Sequence, residues 1–266
     1  MADYNNAEKA RAQYQNADNL RARMQLHARF STNPQGWYDW LFAQYPLRPG
    51  MKLLELGCGT AAIWQQNRHR IPADTYIILS DFSPGMLAEA ERNTSGIAAE
   101  YRVIDAQEIP FAHNSFDLVI ANHMLYHVPD LPKALGEIAR VLKPGGAFCA
   151  STIGENNLRE LHALTAGFDA ASGLSQESVS KTFGLENGAA ILKPFFACVE
   201  MACHADGLHI TEPQPLLDYI FSARDFGDGA DAQRMEQHIL EIFRQNGSLD
   251  IQKDAGLFIA TQVISA

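Results

Sequence analysis

The stretch Leu53-Leu-Glu-Leu-Gly-Cys-Gly-Thr-Ala-Ala-Ile-Trp64 constrains this chain more than any other. A short apolar strand runs into a Gly-x-Gly turn, and an acid, Glu55, stands two residues before the first glycine. Gly57 and Gly59 let the backbone turn sharply and approach a ligand with no Cβ in the way. Alone, the loop leaves two readings open, because Gly57-x-Gly59-x-x-Ala62 also fits a loose dinucleotide-binding fingerprint.

The residues that follow separate these readings. Strand-like Tyr76-Ile-Ile-Leu79 ends in Ser80-Asp81, so a carboxylate stands at the tip of a second strand. An acid in that place, one strand and one helix after the glycines, suits the two hydroxyls of a ribose. A helix over Ser83–Glu91 comes next, then a strand Glu100–Ile104 ending in Asp105-Ala106, and a strand Phe116–Ile120 ending in Ala121-Asn122. A further helix leads through Val141-Leu-Lys-Pro-Gly-Gly146 into a fifth strand, Ala147–Thr152. This ordered register resembles the class I S-adenosylmethionine-dependent methyltransferases over about residues 50–153. Together with His127-Val-Pro-Asp130, it is most similar to the branch of ubiquinone/menaquinone-type and malonyl-carrier-protein methyltransferases. The resemblance implies an α/β fold with a doubly wound seven-stranded sheet, N-terminal helices and helical cap insertions.

Composition is compatible with that fold. At 266 residues and 47% hydrophobic, the chain can bury one good core, or a core and a small cap. It contains no apolar run long enough to span a bilayer, and its first residues lack the apolar region of a signal peptide. Cys58, Cys149, Cys198 and Cys203 form no Cys-x-x-Cys pair and read as reduced thiols, so the expected location is the cytoplasm. A formal charge of −10 argues against a broad nucleic-acid surface.

Along the chain, residues 1–49 read as a helical arm over the cofactor mouth, with a helix over Asn19–Phe30, a break at Ser31-Thr-Asn-Pro34 and a second helix from Trp37. Residues 50–156 are the cofactor-binding core, 157–186 a helical insertion, and 187–206 a return to the core through a helix over 188–196 and a strand over Ala197–Cys203. Residues 207–247 form a helical cap split at Asp225–Gly229, and 248–266 carry the last strand, Gly256–Ile264. In the bare fold strands six and seven nearly adjoin, so the inserted cap is a departure.

The resemblance also implies roles. Glu55 would anchor the loop or receive the methionyl amine, while Gly57 and Gly59 would admit the methionyl backbone and ribose. Asp81 would accept from the ribose hydroxyls, and Phe82 or Met86 would pack on adenine. Asp105 would accept from the adenine amine, with the amide of Ala106 at a ring nitrogen and Asn122 completing the cofactor set. Asp81-Phe-Ser-Pro84 also reads as a helix cap.

Asn122-His-Met-Leu-Tyr-His127 falls where substrate should meet the methyl group. The Asn/Asp-Pro-Pro-aromatic element of nucleic-acid amino methyltransferases is absent there. His123, Tyr126 and His127 offer general-base chemistry near neutral pH instead, against a plain packing or capping role. The i, i+4 pair His123/His127 lacks a visible third ligand, so no metal is expected. Cys58 has no paired histidine and reads as a small loop residue. On the N-terminal helix, Arg21, Arg23, His27 and Arg29 read as a solvated face, with one arginine able to reach a carboxylate.

The expected activity is methyl transfer from S-adenosylmethionine to a small or medium-sized metabolite, with a homodimer as a compatible assembly. The rivals are a tRNA- or protein-modifying methyltransferase, an NAD(P)-dependent oxidoreductase and a silent cofactor-binding protein.

Overall fold

A computed structural model describes residues 18–166, 168, 176–223 and 229–264. The Ser- and Gly-rich stretch 169–175, most of the split at Asp225–Gly229 and the side chains of Arg21 and Arg23 lie outside the described residues. Two helices come first, α1 (Asp18–Phe30) and α2 (Trp37–Gln44). The sheet then builds from β1 (Lys52–Leu56), β2 (Tyr76–Asp81), β3 (Ala99–Val103), β4 (Phe116–Asn122) and β5 (Leu142–Ile153). Between them run α3 (Ala62–Gln66), α4 (Pro84–Asn93) and α5 (Leu131–Val141). Beyond β5 come α6 (Arg159–Thr165), α7 (Gln176–Phe183), α8 (Gly188–Leu192), β6 (Phe196–Ile210), α9 (Pro213–Ala223), α10 (Ala230–Asn246) and β7 (Leu249–Val263).

The seven strands form one sheet in the order β3-β2-β1-β4-β5-β7-β6. The first five pair in parallel, while β7 runs antiparallel to both β5 and β6. Parallel strands covered on both faces read as continuous apolar runs, as Leu53-Leu54 and Leu118-Val-Ile120 do. Alternation then sorts them to opposite faces. Leu53, Leu118 and Ile120 pack with Leu41, Phe42, Trp64 and Leu87 from α2, α3 and α4. Leu54, Val119 and Ala121 pack with Leu135 and Ile138 of α5 and with Phe258 of β7.

Local signals start the helices where they are needed. Ser83 caps α4 by accepting from the Met86 amide at 3.4 Å, with Pro84 in the first turn, and Asp130 caps α5 through the Lys133 amide at 3.0 Å. Along α5 the buried residues Leu131, Ala134, Leu135, Ile138 and Val141 repeat at helical spacing.

The last two strands depart from expectation. β6 and β7 are each 15 residues long, and from Ala205↔Asp254 to Ile210↔Leu249 neither pairs with another strand of the sheet, β6 adding an isolated bridge from Leu208 to Ser31. This ribbon reaches past the sheet and carries α9 and α10 at its far end. Its polar stretch His204-Ala-Asp-Gly-Leu-His209 contains no apolar run, which is why a strand was not read there. Likewise α8 stops at Leu192, before Pro194, and Phe196 already belongs to β6. Around the ribbon a third core gathers Leu26 and Phe30 of α1, Leu158 and Leu161, Leu216 and Ile220 of α9, and Met235 and Ile239 of α10. Among the described residues no helix is long and apolar enough to cross a membrane.

Candidate functional site

Strand order reverses between β1 and β4, and in open α/β sheets ligands occupy the crevice beyond the strand ends at such a switch point. Glu55, Asp81 and Asn122 lie at the carboxyl ends of β1, β2 and β4, and Asp105 follows β3. The glycine turn crosses the same edge. Gly57 and Gly59 take φ of +66° and +54°, the left-handed region where glycine is favoured. A Cβ on Gly57 would come within 2.9 Å of Met124, whereas one on Gly59 would meet nothing within 4 Å. Gly57 is therefore glycine for packing, and Gly59 leaves its backbone open to the crevice.

Asp81 ties the turn to β2. One of its carboxylate oxygens accepts from the Gly59 amide at 2.9 Å and the other from the Ser83 amide at 2.8 Å. The Phe82 amide also hydrogen-bonds this carboxylate, which retains only part of its acceptor capacity. Burial pushes the Asp81 carboxyl up, against the pull of these amides. The Asp105 carboxylate accepts from the Gln107 amide at 2.8 Å and from its side chain, and Ala106 is buried. Phe82 is half-buried; Met86, on α4, is buried at 2% exposure.

Glu55 is 1% exposed and anchors a polar network. Its carboxylate accepts from Trp64 Nε1 at 2.5 Å and from Asn122 Nδ2 at 2.8 Å. Asn122 Oδ1 in turn accepts from the Tyr45 and Ser151 hydroxyls, each at 3.1 Å. Burial pushes the Glu55 carboxyl up to about 7 despite its donors. The same burial, with Glu55 nearby, holds the Tyr45 hydroxyl well above its usual range. Trp64, Tyr45 and Ser151 were not singled out from the sequence; Tyr45 lies 77 residues from Asn122, and no local pattern announces that meeting.

His123 follows with φ of +50°, a strained conformation for a residue with a side chain. Its amide donates to the Ser151 carbonyl at 3.1 Å, and its ring packs 5.3 Å from Trp37. Burial, with Lys253 and His127 nearby, lowers its pKa to about 4, so it is neutral at physiological pH. Tyr126 and His127 lie in a short turn with their rings edge-on at 4.6 Å. Burial raises the Cys58 thiol well above its ordinary value, which fits a packing role. Arg29 pairs with Glu212 at 2.7 Å on the surface. Among the described residues no group of three or more His, Cys, Asp or Glu is placed to hold a metal ion.

Comparison with known proteins bears on the core of the chain. Residues 54–150 match a protein family described as a methyltransferase domain. Over that span the chain matches a methyltransferase domain. Similar relatives include a demethylmenaquinone methyltransferase of Desulfitobacterium hafniense, 36% identical over 42% of this chain and 46% of that protein. A malonyl-[acyl-carrier protein] O-methyltransferase of Serratia marcescens is 33% identical over 42% of each chain. The matched stretch thus spans less than half the length of these relatives. A Haemonchus contortus phosphoethanolamine N-methyltransferase 2, solved with S-adenosyl-L-methionine, shares the fold with a TM-score of 0.57 and 21% identity, over 98% of this chain and 60% of that one. The methyltransferase domain supplies the glycine turn and the acid-tipped strands. α1, α9, α10 and the β6–β7 ribbon lie outside the matched residues.

Proposed function

We propose that this protein is an S-adenosylmethionine-dependent methyltransferase acting on a small or medium-sized metabolite. The observation that carries the reading is the Asp81–Gly59 link at the switch point of the sheet. It sets a carboxylate with spare acceptor positions beside a backbone left open by the missing Cβ of Gly59. Those residues would hold the cofactor: Asp81 its diol, Asp105 its adenine amine, and Gly57 and Gly59 its methionyl end. Phe82 or Met86 would pack on the adenine, with half-buried Phe82 the more accessible, and the Ala106 amide would meet a ring nitrogen. With both carboxylate oxygens already hydrogen-bonded, Glu55 favours the anchoring role, and it holds Asn122 at the mouth.

When bound, the cofactor supplies a methyl group on a positively charged sulfur. The protein then has to align the acceptor and exclude water. His123, strained, neutral and next to Asn122, is placed to accept a proton from the acceptor, and Tyr126 and His127 shape the same wall. The acceptor is a small molecule, and the protein works in the cytoplasm. The formal charge of −10 weighs against a nucleic-acid acceptor.

Calorimetric titration with S-adenosylmethionine, S-adenosylhomocysteine and NADH tests the reading. Saturable binding of both adenosyl ligands and none of NADH is expected. NADH binding alone would overturn it in favour of an oxidoreductase.

A further inference from the structure

His123 is the group proposed to take the acceptor's proton, yet no hydrogen bond orients its ring. Among the described residues neither ring nitrogen has a hydrogen-bond partner, and neither is a buried unpaired atom, so both keep access to open space. An imidazole that serves as a base is ordinarily fixed by a hydrogen bond at its other nitrogen. Here packing has to fix it.

That packing comes from Trp37. Its ring lies 5.3 Å from the His123 ring, with the planes inclined at 41°, and among the described residues it is the one aromatic ring in contact with His123. His123 needs the support, because a φ of +50° persists in such a residue only where its surroundings over-determine it. The His123 amide is tethered to the Ser151 carbonyl at 3.1 Å. Trp37 is the tether on the side chain.

Trp37 is itself held from two directions. It opens α2, and Trp40, one turn further along the same face, stacks on it at 5.3 Å and 27°. His204 of β6 meets Trp37 edge-on at 5.6 Å and Trp40 at 5.0 Å. His204 is buried, and its Nε2 lies 3.0 Å from the Gln35 carbonyl and 3.3 Å from Asn33 Nδ2, in the segment that leads into α2. Asn33 Nδ2 also donates to the Ala205 carbonyl of β6 at 2.8 Å. Further along α2, Leu41 and Phe42 are buried in the sheet core. The indole is thus clamped between β6 and the sheet where it meets His123.

A clamped indole can serve an imidazole base in two ways. It fixes the direction in which a nitrogen points, and orientation of this kind is a large part of bringing two groups to react. Its π face also favours the imidazolium that forms on proton transfer, since a cation within about 6 Å of an aromatic centroid is attracted to the ring.

We infer that Trp37 is a positioning residue for the methyl-transfer site: its ring holds the His123 imidazole toward the acceptor, and the clamp of β6 on α2 holds Trp37. The inference rests on the proposed function for the role of His123. Trp37 and His204 lie outside the residues that match the methyltransferase domain, so that match assigns them no part.

The test is nuclear magnetic resonance of the full chain labelled at its histidine rings, with His123 assigned by the signal lost in His123→Gln. In wild type an Overhauser contact between ring protons of His123 and Trp37 is expected, and its absence would overturn the inference without recourse to a variant. The titratable groups acting on His123 are Lys253 and His127, and with burial they keep it neutral down to about pH 4. Trp37→Leu should admit water to the ring and move its titration toward the ordinary 6.5, and Trp37→Phe should move it back. S-adenosylmethionine should shift the His123 signal in wild type and Trp37→Phe but not in Trp37→Leu, with its calorimetric affinity within about twofold in all three. Wild-type titration and cofactor response in folded Trp37→Leu would overturn the inference, as would Trp37→Phe behaving like Trp37→Leu. So would a wild-type His123 signal that ignores bound S-adenosylmethionine. A titration that depends on Trp37 in protein that binds no S-adenosylmethionine would support the hold of Trp37 on His123 and instead overturn the methyl-transfer reading.

Discussion

Glu55 illustrates how one position can be legible while its physics is not. An acid two residues before the glycines was visible in the sequence; its complete burial between Trp64 and Asn122 was not. A carboxyl raised to about 7 from its ordinary 4.5 keeps its proton longer in the folded state than in the unfolded one. Stability from this group therefore falls as pH rises from 4.5 to about 7, and above that the cost is complete, on the order of 3 kcal/mol. His27 and His123, whose pKa values are lowered, act in the opposite direction, since they lose stability as pH falls below 6.5. The difference between Glu55→Gln and wild type isolates the first effect. Urea unfolding at about pH 5 and about pH 8 should show Glu55→Gln gaining relative to wild type at the higher pH. Parallel pH dependences in the two proteins would refute the raised carboxyl. Asp81→Ala removes the carboxylate proposed for the ribose and loosens the Gly59 turn. Cofactor binding is expected to weaken by about 1–3 kcal/mol, and unchanged affinity in a folded variant would remove Asp81 from the site.

At the level of elements, the five parallel strands and their helices were readable because each is announced locally. Apolar runs mark strands buried on both faces, Ser83-Pro84 and Asp130 mark helix starts, and glycines mark the turn. The β6–β7 ribbon has no such mark. Its outer half is stabilised by pairing between residues such as His209 and Asp250, 41 positions apart, and by the core that α1, α9 and α10 lay against it. Ile239 is fully buried in that core. Ile239→Ala should cost about 2–5 kcal/mol in chemical denaturation, the scale of a large-to-small core change. Because the third core excludes the glycine turn, S-adenosylhomocysteine affinity should stay within about twofold of wild type at a temperature where the variant is folded. A matched loss of cofactor binding would show that the cap core and the cofactor crevice are coupled.

Taken whole, the molecule joins two parts, which meet where the Trp37 and His123 rings pack at 5.3 Å. One side is the crevice of the methyltransferase domain, within residues 54–150. The other is built from α1, α2 and the β6–β7 ribbon, which supply His27, Trp37, Asp206 and Lys253. Ligand binding to the folded state alone should stabilise the entire chain. At about a hundredfold excess over its Kd, S-adenosylhomocysteine is expected to add about 2.7 kcal/mol, read as a rise in Tm, with no rise from NADH. A flat response to S-adenosylhomocysteine in folded protein would contradict the proposed cofactor.

By itself the sequence determined the α/β class, the order of the first five strands, and the acids and glycines that line one sheet edge. Those features depend on near neighbours: alternation within a strand, caps within a turn and positive φ at single residues. Only the tertiary structure decided that Trp64 and Asn122 hydrogen-bond Glu55, that Asp206 pairs with Lys253, and that Trp37 packs on His123. Each of these joins residues from separate elements, and each takes its energy from burial. A residue's local sequence does not encode how much water will be removed from around it, nor which distant charge will then stand beside it.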